Sequence, residues 1–256
     1  MNSPYGSTRT LVRPTHALIA PDGHVSSPLS GWQDASGVVL ISPVMQPGPR
    51  FVQYLVHGSR DARSVGAAAG VQRLVYVLEG EAQLDGQALA ADAFAWLPPD
   101  EPHDLRPPEG TTLLVFEKRY QPLPAEAAPG RVVGTLAKAP SEAFLGDPDA
   151  VLSTLLPITP GFDMAVNVFT YQPGATLPFV ETHVMEHGLY MKSGQGVYRL
   201  ADEWMPVAKG DAIWMASYCT QWFVAMGKRP AAYIYYKDIH RDPLSTGDFV
   251  APSEPA

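Results

Sequence analysis

Cysteine is nearly absent from this chain. The one thiol, Cys219, excludes an intrachain disulfide and suits a reducing compartment. Basic residues are also scarce: 18 Lys and Arg stand against 26 Asp and Glu, a formal charge of −8. No basic patch offers a footprint for nucleic acid or an anionic membrane surface, so neither is expected as a partner. No run approaches the roughly 18 apolar residues of a spanning helix, and no apolar signal core follows the first residues. A soluble cytoplasmic protein is the expectation. Long helices are disfavoured as well, because 26 Pro and 22 Gly cut the chain into short pieces.

What is present is a chain that contains itself twice. Its 256 residues, 46% of them hydrophobic, suffice for one large core or two small ones. Residues 38–56 (VVLISPVMQPGPRFVQYLV) align with 151–169 (VLSTLLPITPGFDMAVNVF), which sets Pro47 and Gly48 on Pro160 and Gly161 and Phe51 on Met164. Further on, Tyr76 and Gly80 fall on Tyr190 and Gly194, residues 91–96 on 210–215, and 116–123 on 236–244. The expected organisation is an N-terminal arm at 1–37, a first domain at 38–120, a linker at 121–150, a second domain at 151–248 and a tail at 249–256. The Pro- and Ala-rich linker is expected to carry an extended segment across the halves. Short β-branched and aromatic runs, such as 75–78, 166–169 and 233–237, alternate with Gly, Pro and Asp turns. Asp147 and Asp149 offer a helix cap before 149–156, but the repeat sets this stretch on the strand-like 38–41, and a strand is expected. The fold class read from this pattern is all-β, with two tandem antiparallel barrels or jelly rolls.

The second half holds the densest chemistry. Glu181, His183 and His187 lie within seven residues, and Gln221 follows downstream. Two imidazoles, a carboxylate and a weak fourth donor can surround one metal ion and leave positions open for substrate. On a strand, Glu181 and His183 share a face, His187 keeps their parity if the strand continues, and Gln221 returns on a neighbour. A barrel interior is the simplest place for them to converge. This donor set suits Mn, Fe, Co, Ni or Zn, and two oxygens without a thiolate favour Mn(II). The first half has Ala67, Ala69 and Arg73 at the matching positions, so only one half keeps the ligands.

A lone histidine is more often a surface or hydrogen-bonded core residue, and His16, His24, His57 and His240 are read so. Residues 183–187 also fit H-x-x-E-H, a zinc-protease pattern that needs a helix. Pro173, Gly174 and Pro178 before it and Gly188 after it speak against that helix. Strand parity turns Glu186 away from the two imidazoles, towards the outside or a supporting contact. Cys219 lies two residues before Gln221 with no base beside it, so no nucleophile role is assigned.

The spacing G-x6-E-x-H-x3-H-x6-G from Gly174 to Gly194 resembles the first motif of the cupin superfamily. G-x5-A-x-Y-x2-Q from Gly210 to Gln221 resembles the second. The usual cupin ligands run His, His, Glu, His. The order Glu181, His183, His187, Gln221 departs from that and resembles the bicupin (S)-ureidoglycine aminohydrolases of purine catabolism. Segments at 11–25, 161–164, 181–190, 193–200 and 235–244 carry the resemblance over nearly the whole chain. It implies a hydrolase that takes (S)-ureidoglycine and water to (S)-ureidoglycolate and ammonia with Mn(II). It implies Glu181, His183, His187 and Gln221 as metal ligands, and Tyr198, Tyr233 and Lys237 as substrate-pocket residues. Lys237 would anchor the substrate carboxylate and Glu181 would move a proton. Bicupins commonly assemble further, so at least a homodimer is expected. His103 stands in what resembles a decayed second motif in the first half. Two other classes stay open: a metal-dependent cupin dioxygenase or isomerase, against which Glu181 and Gln221 count, and a non-catalytic small-molecule-binding bicupin, which predicts erosion in both halves.

Overall fold

The computed structural model describes residues 8–45, 48–124 and 126–242. The expected tail at 249–256, the first seven residues of the arm, Pro47 and the last two residues of the 235–244 segment lie outside them. Among the described residues no helix is long and apolar enough to cross a membrane.

Two large antiparallel sheets carry the fold. One runs in the order Val132–Thr135, Ala93–Leu97, Val71–Glu79, Thr112–Arg119, Val52–His57, Ser36–Ile41, Ser27–Pro28. The other runs Leu11–Val12, His16–Ile19, Ala212–Met215, His187–Ser193, Ala231–Asp238, Met164–Tyr171, Asp147–Thr154, Ser141–Phe144. Leaving out Leu11–Val12, the two orders correspond strand for strand, and 147–154 is the strand that the repeat requires rather than a helix. A three-stranded sheet completes each half: Glu81–Leu84, Gln87–Ala90 and Leu105–Arg106 in the first, Gln195–Leu200, Glu203–Ala208 and Gln221–Met226 in the second. The architecture is all-β with two tandem barrels, as expected. The hairpin tips at Gly80 and Gly194 adopt φ of 78° and 73°. A Cβ there would lie 2.6 Å from the Gly110 carbonyl oxygen or from Ala231 Cα, so both repeats need glycine at this corner.

The edge strands are exchanged between the halves. His16–Ile19, from the arm ahead of the first half, pairs with Ala212–Met215 of the second sheet. Val132–Thr135, from the stretch ahead of the second half, pairs with Ala93–Leu97 of the first sheet. Each exchange covers a sheet edge that would otherwise offer free backbone groups. Arg9 fastens the arm with two bonds of 2.7 Å to the buried Asp211.

The central strands of the large sheets are buried on both faces, which is why their sequences read as continuous apolar runs. In Ala231–Asp238, Tyr233 and Tyr235 point into the second barrel. Ile234 and Tyr236 point the other way, into a core between the halves shared with Tyr76, Trp96, Leu114 and Phe116. Phe51 of the first half packs on Tyr236 with ring centroids 4.3 Å apart. Each such aromatic contributes about 2–3 kcal/mol by leaving water. Leu74 and Tyr76 against Val75 and Val77 repeat the alternation in the first half.

At the place of His187 the first barrel has Arg73, and opposite it Glu117 takes the place of Lys237. The Arg73 guanidinium is buried, lies 2.6 Å from Glu117, and stacks over Trp32 at 5.1 Å. Removing the cation leaves a half-covered carboxylate in a barrel, and breaking such a pair costs about 3 kcal/mol. Arg73→Met should lower stability by about that amount in urea unfolding, whereas Arg73→Met with Glu117→Leu should recover most of it. Equal losses in the single and double variants would mean that packing, not the ion pair, holds this interior.

Candidate active site

The mouth of the second barrel opens onto a cavity of about 160 Å³, continuous with solvent. Glu181, His183, His187, Tyr198, Gln221, Tyr233 and Lys237 all line it. The chain therefore brings together every residue that the sequence pattern singles out for the site.

They converge by a different route from the one expected. The stretch from Glu181 to Glu186 is not a strand. Glu181 makes one isolated bridge to Gln221, with backbone bonds of 2.8 and 2.9 Å in the two directions. The next residues cross the barrel mouth as a loop. The His183 carbonyl accepts from the Tyr218 amide at 2.7 Å, and the Glu186 amide donates to Asp238 Oδ1 at 2.7 Å. A regular strand begins only at His187. Parity along 181–187 thus does not align the side chains. The loop is pinned by partners far along the chain, and the bridge sets the first and last candidate ligands side by side.

The two imidazoles face each other with Nε2 atoms 3.0 Å apart. His183 Nδ1 lies 3.0 Å from the Met185 carbonyl, and His187 Nδ1 lies 3.2 Å from the Tyr236 carbonyl. A carbonyl only accepts, so each Nδ1 carries the hydrogen and each Nε2 presents a lone pair. Burial lowers the pKa of both rings, and for His187 also the neighbouring His183, so a proton is a poor bridge between them. A divalent cation satisfies both lone pairs, and backbone carbonyls behind ligating imidazoles are the usual support of such sites. Gln221 Nε2 lies 3.0 Å from His183 Nε2, and Gln221 Oε1 accepts from the Tyr198 hydroxyl at 3.4 Å. The two imidazole lone pairs fit a metal, and Gln221 would offer its oxygen there once its amide turns over, since here its NH2 group faces His183. Among the described residues no three His, Cys, Asp or Glu side chains already form a metal-sized cluster. Glu181 stands apart from the imidazoles, on the same cavity.

Burial raises the Glu181 pKa, with Lys237 pulling it back. Burial lowers the Lys237 pKa, with Glu181 and then Asp238 opposing. The phenols of Tyr198 and Tyr233 are pushed up by burial, and that of Tyr235 is pushed up to about 12, so all three stay protonated donors. Phe144, Leu152, Phe169 and Leu177 form an apolar wall beside them. The arrangement can anchor an anion at Lys237, hold a proton at Glu181 and keep bulk water from one side.

Tyr235 also lines the cavity, and its hydroxyl accepts from Asn167 Nδ2 at 3.0 Å. Its position midway between Tyr233 and Lys237 on one strand face was the signal that could have found it. Glu186 is turned away from the imidazoles but is buried rather than outward, against Arg50 and Asp238. Cys219 packs in the second barrel's apolar core and does not line the cavity. His16 bonds Glu203 at 2.9 Å, the hydrogen-bonded core role assigned to it. His103 sits at the mouth of the first barrel, 3.4 Å from Ser64 Oγ, which also accepts from Arg73.

Residues 167–236 match the cupin domain family. The chain is 39% identical over 246 residues to a probable (S)-ureidoglycine aminohydrolase of Oryza sativa subsp. japonica, covering 93% of this chain and 78% of that one. It is 39% identical over 246 residues to the (S)-ureidoglycine aminohydrolase of Arabidopsis thaliana, covering 93% and 80%. The crystal structure of protein YlbA from E. coli superposes with a TM-score of 0.80 at 31% identity, over 92% of this chain and 96% of that one.

The buried imidazole pair has a consequence for metal-free protein. The unfolded chain takes up a proton at His187 near its ordinary value of 6.5, while the folded chain refuses it until lower pH. Stability from this group is complete above that value and is lost as pH falls through it. Urea midpoints of metal-free protein between about pH 7.5 and about pH 5.5 should fall more steeply in the wild type than in His187→Gln. Parallel profiles would show that His187 keeps its proton on folding.

Proposed function

The chain belongs to the (S)-ureidoglycine aminohydrolase family, and on that footing we propose that it converts (S)-ureidoglycine and water to (S)-ureidoglycolate and ammonia. The observation that carries this reading to particular residues is the convergence of Glu181, His183, His187, Gln221 and Lys237 on one cavity. Glu181, His183, His187 and Gln221 are the residues that would hold a divalent cation, and Mn(II) suits two oxygen donors and two imidazoles without a thiolate. Such an ion, when bound, supplies a Lewis acid that polarises substrate heteroatoms and makes water more acidic. The same reading assigns the metal-bearing cupin domain to 151–248 and a metal-free one to 38–120, and expects at least a homodimer, which light scattering checks.

The protein's own groups do the rest. Lys237, a half-buried cation facing the cavity, binds the substrate carboxylate and fixes which face of the reacting carbon meets water. Tyr233, protonated, donates a hydrogen bond to the substrate's oxygens, and Tyr198, whose hydrogen goes to Gln221 Oε1, accepts from the substrate's N–H groups. The reaction breaks the bond from carbon to the amino nitrogen and forms one from carbon to the oxygen of water. The ureido nitrogen's lone pair assists departure of the amine. Water gives one proton, and the leaving nitrogen gains one as it becomes ammonia. Glu181 moves that proton, because its burial-raised pKa makes the carboxylate a better base than an exposed one. The apolar wall of Phe144, Leu152 and Leu177 limits the water that reaches the intermediate.

Fresh (S)-ureidoglycine given to Mn-loaded protein should yield the (S) product and ammonia. Racemic product at the uncatalysed rate would reject the function. Glu181→Gln should lower kcat by about 10² to 10⁴. An unchanged rate and unchanged metal content in Glu181→Ala would remove Glu181 from both roles. Lys237→Met should raise KM by about tenfold or more, and a KM within about twofold of wild type would place the carboxylate elsewhere.

A further inference from the structure

The two halves meet through a pair of matching polar clamps. Arg50, on the first half, reaches across to the second: its backbone amide and Nε bond Glu186 at 3.1–3.2 Å, and its guanidinium bonds Asp238 Oδ2 at 2.7 Å. Asp163, at the matching position of the second half, reaches back to the first: it accepts from Gln72 Nε2 at 2.5 Å and from Lys118 Nζ at 2.6 Å. The internal repeat places Gln72 on Glu186 and Lys118 on Asp238. The clamp is therefore duplicated with its charges inverted, cation onto two carboxylates on one side and carboxylate onto an amide and a cation on the other.

What each clamp flanks differs. Gln72 and Lys118 adjoin Arg73 and Glu117, the ion pair that fills the first barrel. Glu186 and Asp238 adjoin His187 and Lys237, which stand opposite each other across two strands. Gln72, Lys118 and Asp238 alternate along their strands with Arg73, Glu117 and Lys237, while Glu186 ends the loop just ahead of the strand that His187 opens. Glu186 and Asp238 are two buried carboxylates side by side, linked by the Glu186 amide donating to Asp238. Arg50 is the cation bonded to both of them.

We propose that Arg50, from the half without the candidate ligands, is a positioning residue for the active site of the other half. By holding Glu186 and Asp238 together it sets the spacing of His187 and Lys237, and with it the distance between the metal seat and the carboxylate anchor. Removing the cation lets the two carboxylates repel, and the strand ends that carry the site separate. The proposal rests on the site assigned above, and a wild type that fails to bind Mn(II) or to turn over ureidoglycine would fail that assignment instead.

The test compares the two clamps. Arg50→Met and Lys118→Met each remove one cation from the same interface, so both should lower Tm. Only Arg50→Met should also lower kcat at saturating Mn(II), by about tenfold or more, and weaken Mn(II) binding in titration calorimetry by several-fold. Lys118→Met should keep kcat, KM and Mn(II) affinity within about twofold of wild type. Arg50→Lys, which keeps a cation as the other clamp does, should recover most of the lost rate, and it serves in place of Arg50→Met if that variant does not fold, with an intermediate kcat expected. Arg50→Met and Lys118→Met with equal kcat and equal Mn(II) affinity would overturn the proposal and leave Arg50 as interface packing alone. So would Arg50→Lys with no recovery of rate over Arg50→Met.

Discussion

The site depends on one packing constraint: the central strands of the two large sheets are covered on both faces. In Ala231–Asp238, alternate residues belong to different interiors. Tyr233, Tyr235 and Lys237 face the barrel cavity, while Ile234 and Tyr236 face the core between the halves, and Asp238 bonds Arg50 there. A strand covered on one face only could present a pocket residue without consequence for its neighbour. Here each pocket residue is chemically tied to an interface residue one step along the chain. The carbonyl of Tyr236 supports the His187 ring from within this same strand.

That constraint explains what the duplication kept and what it changed. The strand order, the corner glycines and the interface clamps recur, because both halves must close a barrel and cover a face. The barrel-facing pair is free to differ. In one half it is Arg73 with Glu117, a self-sufficient ion pair. In the other it is His187 with Lys237, two groups that cannot pair with each other: His187 turns to Tyr236 and His183, and Lys237 faces the cavity. The exchanged edge strands bind the halves further, so the first half is part of the scaffold of the second.

Much of this was legible in the sequence, for identifiable reasons. The repeat was visible because matched residues recur in order, among them the corner glycines Gly80 and Gly194 where a Cβ would clash, and the all-β class because β-branched and aromatic runs alternate with turn residues. Glu181, His183 and His187 were found because three metal-type donors within seven residues are rare without a use. The strand drawn through them was wrong because period-two parity assumes a ladder partner at every step. The 182–186 stretch instead bonds the loop at Tyr218 and the side chain of Asp238. Glu186 was placed by that parity on the correct side, yet its burial was invisible, since Arg50 lies 136 residues away.

The sequence by itself determined which chemistries are available: imidazole, carboxylate, amide and amine in a fixed order, on short strands, in one of two similar halves. Those are properties of residue type and spacing, and they survive without knowledge of contacts. Only the tertiary structure decided how the groups face one another. The antiparallel bridge of Glu181 to Gln221, the two carbonyls that turn both Nε2 lone pairs inward, and the clamp from Arg50 all join residues distant in the chain. Such contacts depend on how the sheets close and stack, and no local pattern of side chains encodes that closure.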